Sequence, residues 1–164
     1  MFREMRRAAQ QLPEAETYDV LRRANTGVLA VHGDDGYPYA VPLNFLYADG
    51  KIYFHCAQEG HKLDAIRRDP KVSFCVVDAD AVVQEKYTTA YRSVIAFGRA
   101  HIMEDTQAIF EAIDRLAAKY VPGDSMENRH AEMRGGMPKM EMVEIEIDHI
   151  CGKEGLELAR MRGR

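Results

Sequence analysis

The stretch Val28-Leu29-Ala30-Val31-His32-Gly33-Asp34-Asp35-Gly36-Tyr37-Pro38-Tyr39-Ala40-Val41-Pro42-Leu43 reads as a strand, a tight turn and a second strand. Val28 to Val31 is a short apolar run, and the Asp35-Gly36 step favours the positive φ angles that a two-stranded hairpin requires. The second strand is read over Tyr37 to Tyr47. It carries Pro38 and Pro42, which donate no ladder hydrogen bond and so predict an edge, a bulge or a kink.

Outward from this hairpin the pattern repeats. Asp49-Gly50 is a second turn signal, and Ile52 to Cys56, β-branched and aromatic, is a third strand. Lys71 to Val77 alternates Val72, Phe74 and Val76 with Ser73 and Cys75, and Tyr91 to Met103 is a long strand with a possible bulge at Gly98. Val143, Ile145 and Ile147 alternate with Glu144, Glu146 and Asp148, so one face of that strand is buried and the other wet. Helices are expected over Pro13–Ala24, His61–Arg68 and Asp105–Tyr120, the last because Ile109, Ile113, Leu116 and Tyr120 form one stripe. Val121 to Pro138, rich in Gly, Pro and charge, is expected to be a loop with one helical turn around Glu127–Met133. About six strands joined mainly by hairpins favour an antiparallel barrel over a doubly wound parallel sheet.

The chain has 164 residues, which suits a single domain over 1–164, with 1–12 and 156–164 as extended tails. The formal net charge of −4 gives no general attraction to polyphosphate, so no nucleic-acid partner is expected. Arg3, Arg6 and Arg7 at one end and Arg160, Arg162 and Arg164 at the other read as solvated termini. Three cysteines, Cys56, Cys75 and Cys151, without a C-x-x-C pair suggest a reducing compartment. With no signal-peptide pattern and no run of about 18 apolar residues, the expectation is a cytoplasmic protein without a membrane partner.

Phosphate-loop, dinucleotide-fingerprint, nucleophile-elbow and H-E-x-x-H motifs are all absent, and the six histidines are not clustered with carboxylates, so no protein-ligated metal is expected. Two stretches could carry chemistry. His55-Cys56-Ala57-Gln58-Glu59-Gly60-His61-Lys62-Leu63-Asp64 brings together a strand end, a Gly turn and a helix start. Unpaired backbone N–H groups, with His61 and Lys62 beside them, are what a phosphate requires, although the same residues could simply form a solvated turn. In Tyr91-Arg92-Ser93-Val94-Ile95-Ala96-Phe97-Gly98, Arg92 is either a barrel-rim charge or a fork for phosphate or carboxylate. Tyr39, Asn44 and Tyr47 could contact a planar ligand or belong to the core.

Taken together, Asp35-Gly36-Tyr37-Pro38-Tyr39-Ala40-Val41-Pro42-Leu43, Asp49-Gly50-Lys51-Ile52-Tyr53-Phe54-His55, Gly60-His61-Lys62 and Tyr91-Arg92-Ser93-Val94 resemble the pyridoxamine-phosphate-oxidase-like, FMN-binding split barrels, and among them the nitroimidazole-resistance branch. The resemblance extends from the first helix to Ile150-Cys151-Gly152-Lys153-Glu154. It implies a six-stranded antiparallel split barrel with flanking helices, homodimeric, holding FMN in grooves formed by both subunits. Val41, Pro42, Leu43 and Asn44 would then line the flavin ring, Phe54, His55, Cys56 and Ala57 would meet the ribityl chain, and His61 and Lys62 would approach the phosphate. Tyr91, Arg92 and Ser93 would come from the other subunit, and His55 would be the catalytic residue. The implied activity is reduction of a small electron-poor acceptor, such as a nitroaromatic, by a nicotinamide donor. The alternative is a carrier or sensor of flavin or haem. Related split barrels bind haem or a deazaflavin, for which His55 or His61 could serve as haem ligand. The chain lacks tryptophan, which the true oxidases carry, so pyridoxamine-phosphate oxidation is not expected.

Overall fold

The fold is taken from a computed structural model that describes residues 1–162. Gly163 and Arg164, the end of the tail expected from 156, lie outside them.

Helix α1 (Glu14–Arg23) begins after Pro13, with Glu14 and Glu16 in its first turn and Arg22 and Arg23 in its last, as the helix dipole favours. Strands β1 (Thr26–His32) and β2 (Pro38–Asn44) pair antiparallel across the expected turn, where Asp35 and Gly36 have φ of 53° and 79°. This second strand does not run to Tyr47 as expected. Instead it breaks at Phe45, and Leu46–Ala48 forms a separate strand, β3, which turns at Asp49-Gly50 into β4 (Lys51–Ala57). Helix α2 (His61–Arg68) leads into β5 (Lys71–Val83), β6 (Thr88–Ile102), α3 (Thr106–Tyr120), α4 (Met126–Gly136), β7 (Met140–Glu154) and α5 (Leu156–Arg162).

All seven strands lie in one sheet, ordered β2-β1-β5-β6-β7-β4-β3, with every pairing antiparallel. The expected count of six is therefore corrected to seven. The two edges, β2 and β3, are joined in the chain through Phe45 alone, so the sheet must bend round until its edges meet there. Pro38 and Pro42 fall on edge strand β2, where the missing N–H groups are tolerated. The bulge lies at Phe97/Gly98, where a Cβ on Gly98 would collide with the Glu146 carbonyl oxygen.

Alternate residues of the strands fill the interior: Leu29, Phe54, Phe74, Val76, Val94 and Val143 are fully buried, each worth about 1.5–3 kcal/mol relative to exposure. Helix α1 packs across the sheet beside β3 and β7, with Tyr18 stacked on Tyr47 at 5.5 Å. Helices α3 and α4 cover the outer face of β4 and β7 through a second cluster of Ala112, Ile113, Leu116, Met133 and Met142. Two expectations are revised here. The single helical turn expected around Glu127–Met133 within the loop 121–138 is instead the three-turn helix α4, started by the Ser125 side chain accepting from Asn128 N–H. Parts of the expected tails join the fold: Gln10 and Leu12 are buried, Gln11 bridges Lys153, and Leu156–Arg162 is helical, whereas residues 1–7 carry no helix or strand. No helix among the described residues is long and apolar enough to cross a membrane.

Candidate functional site

Pleating divides the candidate residues of β4 into two sets. Ile52, Phe54 and Cys56 point into the core, whereas His55 and Ala57 are exposed on the outer face. Phe54 and Cys56 can therefore offer a ligand only their backbone, which narrows the role expected for them. Burial pushes the Cys56 thiol up. His55 has no hydrogen-bond or ion-pair partner among the described residues and is free to meet a ligand.

After Ala57 the chain turns through Gly60, whose φ of 139° suits glycine, into α2. The first amides to bond within the helix are those of Leu63 and Asp64, both donating to Gly60 O, so those of His61 and Lys62 precede the ladder. With Lys62 on the same turn, they offer donors of the kind that a phosphate requires. The His61 side chain is turned differently from expectation. Its ring packs on Tyr39 at 4.2 Å, and its Nε2 is covered, 3.4 Å from Asp34 Oδ2 without hydrogen-bond geometry.

On β2, Val41 and Leu43 are half-buried against the core, while Pro42 and Asn44 are exposed outward. Pro42 continues a row across neighbouring strands through Val28, Cys75, Ile95 and Cys151, mostly apolar and half-exposed to exposed.

Tyr91, Arg92 and Ser93 are not brought to this place within one chain. His55 pairs with Met142, which is level with Met103 just beyond β6. Tyr91–Ser93 lie near the other end of that strand, roughly 35 Å away by strand rise. Arg92 is also engaged, its guanidinium 3.3 Å from both Asp78 and Glu154. A bulge between Val77 and Ala79 interrupts the pairing at Asp78, which the Arg23 fork also grips at 2.8 and 2.6 Å. Arg23 and Arg92 hold the Asp78 carboxyl below the usual carboxylate range. Glu154, fully buried, is bonded to Arg162 Nε at 2.8 Å as well. These carboxylates were not foreseen, because nothing local in the sequence couples positions 78, 92 and 154.

Another residue missed was Lys119. Its ammonium donates to Ala24 O at 2.6 Å and Phe45 O at 2.8 Å and sits 4.3 Å from the Phe45 ring centre. The Tyr120 hydroxyl accepts from Phe45 N–H at 3.0 Å. Together they supply partners for the backbone at the break between β2 and β3.

Against known proteins, a family model described as pyridoxamine 5'-phosphate oxidase matches residues 13–154. No curated protein matches. Among solved structures, a conserved hypothetical protein from Mycobacterium tuberculosis is 26% identical, covering 98% of this chain and 94% of its own, with a TM-score of 0.80. A protein provisionally named for 5-nitroimidazole antibiotic resistance, from Bacteroides thetaiotaomicron, is 20% identical over 88% of this chain and 86% of its own, with a TM-score of 0.75. The FAD and heme binding protein from Mycobacterium smegmatis is 20% identical over 94% of this chain and 80% of its own, with a TM-score of 0.74. The last two likenesses show the fold.

Proposed function

The chain belongs to the pyridoxamine 5'-phosphate oxidase family, and from that premise we propose that it is an FMN-dependent reductase acting as a homodimer. The observation that carries the reading is the β4–α2 junction, where an outward, unpartnered His55 stands a few residues before the free amides of His61 and Lys62. The flavin part of the reading is supported by a structural relative named for binding FAD and heme, and the reductase part by one named for nitroimidazole resistance.

Lys62 and the two amides hold the phosphate charge. Pro42 and Asn44 border the ring, and a nitrogen of the His55 imidazole holds a proton for the acceptor. Bound flavin would supply the transfer of electrons from a nicotinamide donor to a small electron-poor acceptor. Tyr91 and Ser93 reach this place from a second copy, since their own chain holds them at the far end of β6. Three free cysteines favour a cytoplasmic setting.

The test is the absorbance of the purified protein after FMN addition and dialysis. Bands near about 375 and 450 nm are expected to remain at about one flavin per chain, and NADH or NADPH should bleach the second. A colourless protein would overturn the reading, and one intense band near about 400 nm would replace flavin with haem.

A further inference from the structure

Beside the strand end that presents His55 lies a cavity of about 510 Å³, between the first turns of α3, the end of α4 and the turn Met137–Lys139. Ile109, Phe110, Met137 and Met140 supply its apolar walls, and Gln107 and Arg134 its polar ones. Met140 is the cross-strand partner of Ala57, as Met142 is of His55. Opposed residues of an antiparallel pair share a face, with Cβ atoms about 4.5–5.5 Å apart. The cavity wall is therefore continuous with the outer face of β4. Gln58 reinforces the junction by donating to Pro138 O at 3.2 Å.

Charge then selects the occupant. No lining residue is acidic, and Arg134 is exposed without an ion-pair or hydrogen-bond partner among the described residues. A guanidinium at the rim of an apolar cavity matches an anion with an apolar body, and its planar fork matches a carboxylate in particular. The volume lies within the range of small-molecule sites, and methionine walls adapt to a flat ring because their unbranched chains repack readily.

We propose that this cavity is the acceptor subsite, and that it takes a flat aromatic or heteroaromatic carboxylate, with the ring among Phe110, Ile109, Met137 and Met140 and the carboxylate on Arg134. The word acceptor rests on the flavin reading. Binding of such a molecule does not.

The test uses the full chain labelled at its methionine methyl groups and titrated with 4-nitrobenzoate and with neutral 4-nitrobenzamide. Nitrobenzoate is expected to shift the Met137 and Met140 signals and to bind at least about fivefold more tightly than the amide. Arg134→Gln should abolish that ratio while leaving flavin uptake and the melting temperature unchanged. No shift, shifts confined to other methionines, or a ratio that survives in Arg134→Gln would overturn the proposal. Flavin uptake is read on the same samples. Methionine shifts in a protein that takes no flavin would sustain the ligand site and sink only the flavin reading.

Discussion

Glu154 buries a carboxylate completely and sets it between Arg92 and Arg162, at 3.3 and 2.8 Å. Its loss would take a charge-assisted hydrogen bond from each guanidinium, while Arg92 keeps Asp78 and Arg162 stays 3.8 Å from Glu16. Glu154→Ala is accordingly expected to lower stability by about 2 kcal/mol, read as a fall in the urea midpoint at unchanged slope. A midpoint within error of the parent would contradict this account. His55 is the opposite case, exposed and unpartnered, so its loss should leave the fold intact. A His55→Ala variant is expected to retain flavin and lose roughly 100-fold in turnover, the usual size of a general acid's contribution. Full activity with several acceptors would remove His55 from the mechanism. In both residues the sequence reveals chemical type but not surroundings. Arg92 could be read as a rim charge or an anion fork, and the structure shows a fork whose anions are the chain's own Asp78 and Glu154.

Helix α3 does more than cover the sheet, because its last two residues hold the break between β2 and β3. Burial lowers the Lys119 ammonium from 10.5 to about 8. In the unfolded chain it keeps its proton to near 10.5, so between these values the unfolded state binds more protons and stability rises with pH. The thiols act in the opposite sense: partial or full burial pushes Cys56, Cys75 and Cys151 up, and the stability tied to their neutral forms is lost as pH climbs. The useful readout is therefore a difference. From pH 8 to 10 the wild-type urea midpoint should gain on that of Lys119→Met, and parallel curves would refute the assignment. Other elements differ in how plainly the sequence announces them. His61–Arg68 appears with its expected bounds because Gly60 starts it and Asp69-Pro70 ends it. Only one turn of helix α4 is legible in the sequence, because the helix has no continuous apolar stripe and is anchored instead by Asp114, which accepts from Arg129 at 2.6 Å and lies 3.1 Å from His130. The break at Phe45 was hidden because its partners, Lys119 and Tyr120, lie far along the chain.

Across the whole molecule, the row from Pro42 to Cys151 and the exposed side chains of Val28, Val77 and Phe2 form an uncovered, largely apolar face. Patches of this kind on soluble proteins mark association surfaces. Size-exclusion chromatography with light scattering is expected to give twice the chain mass of 18.6 kDa at micromolar concentration. Substituting Val28 and Val77 with glutamate should yield monomers, and a wild-type monomer would remove the means by which Tyr91 and Ser93 could join His55. The sheet order has a further consequence for how the molecule is made. Strand β7 lies between β6 and β4, so until residues 140–154 have been synthesised the nascent chain holds two separate pieces, β2-β1-β5-β6 and β4-β3, with β6 and β4 unpaired along the edges that β7 will later occupy. Closure depends on contacts remote in sequence and is therefore slow to form. During elongation each copy passes through an interval in which its stickiest edges are open to neighbours and chaperones, and that interval ends only when β7 slots between them.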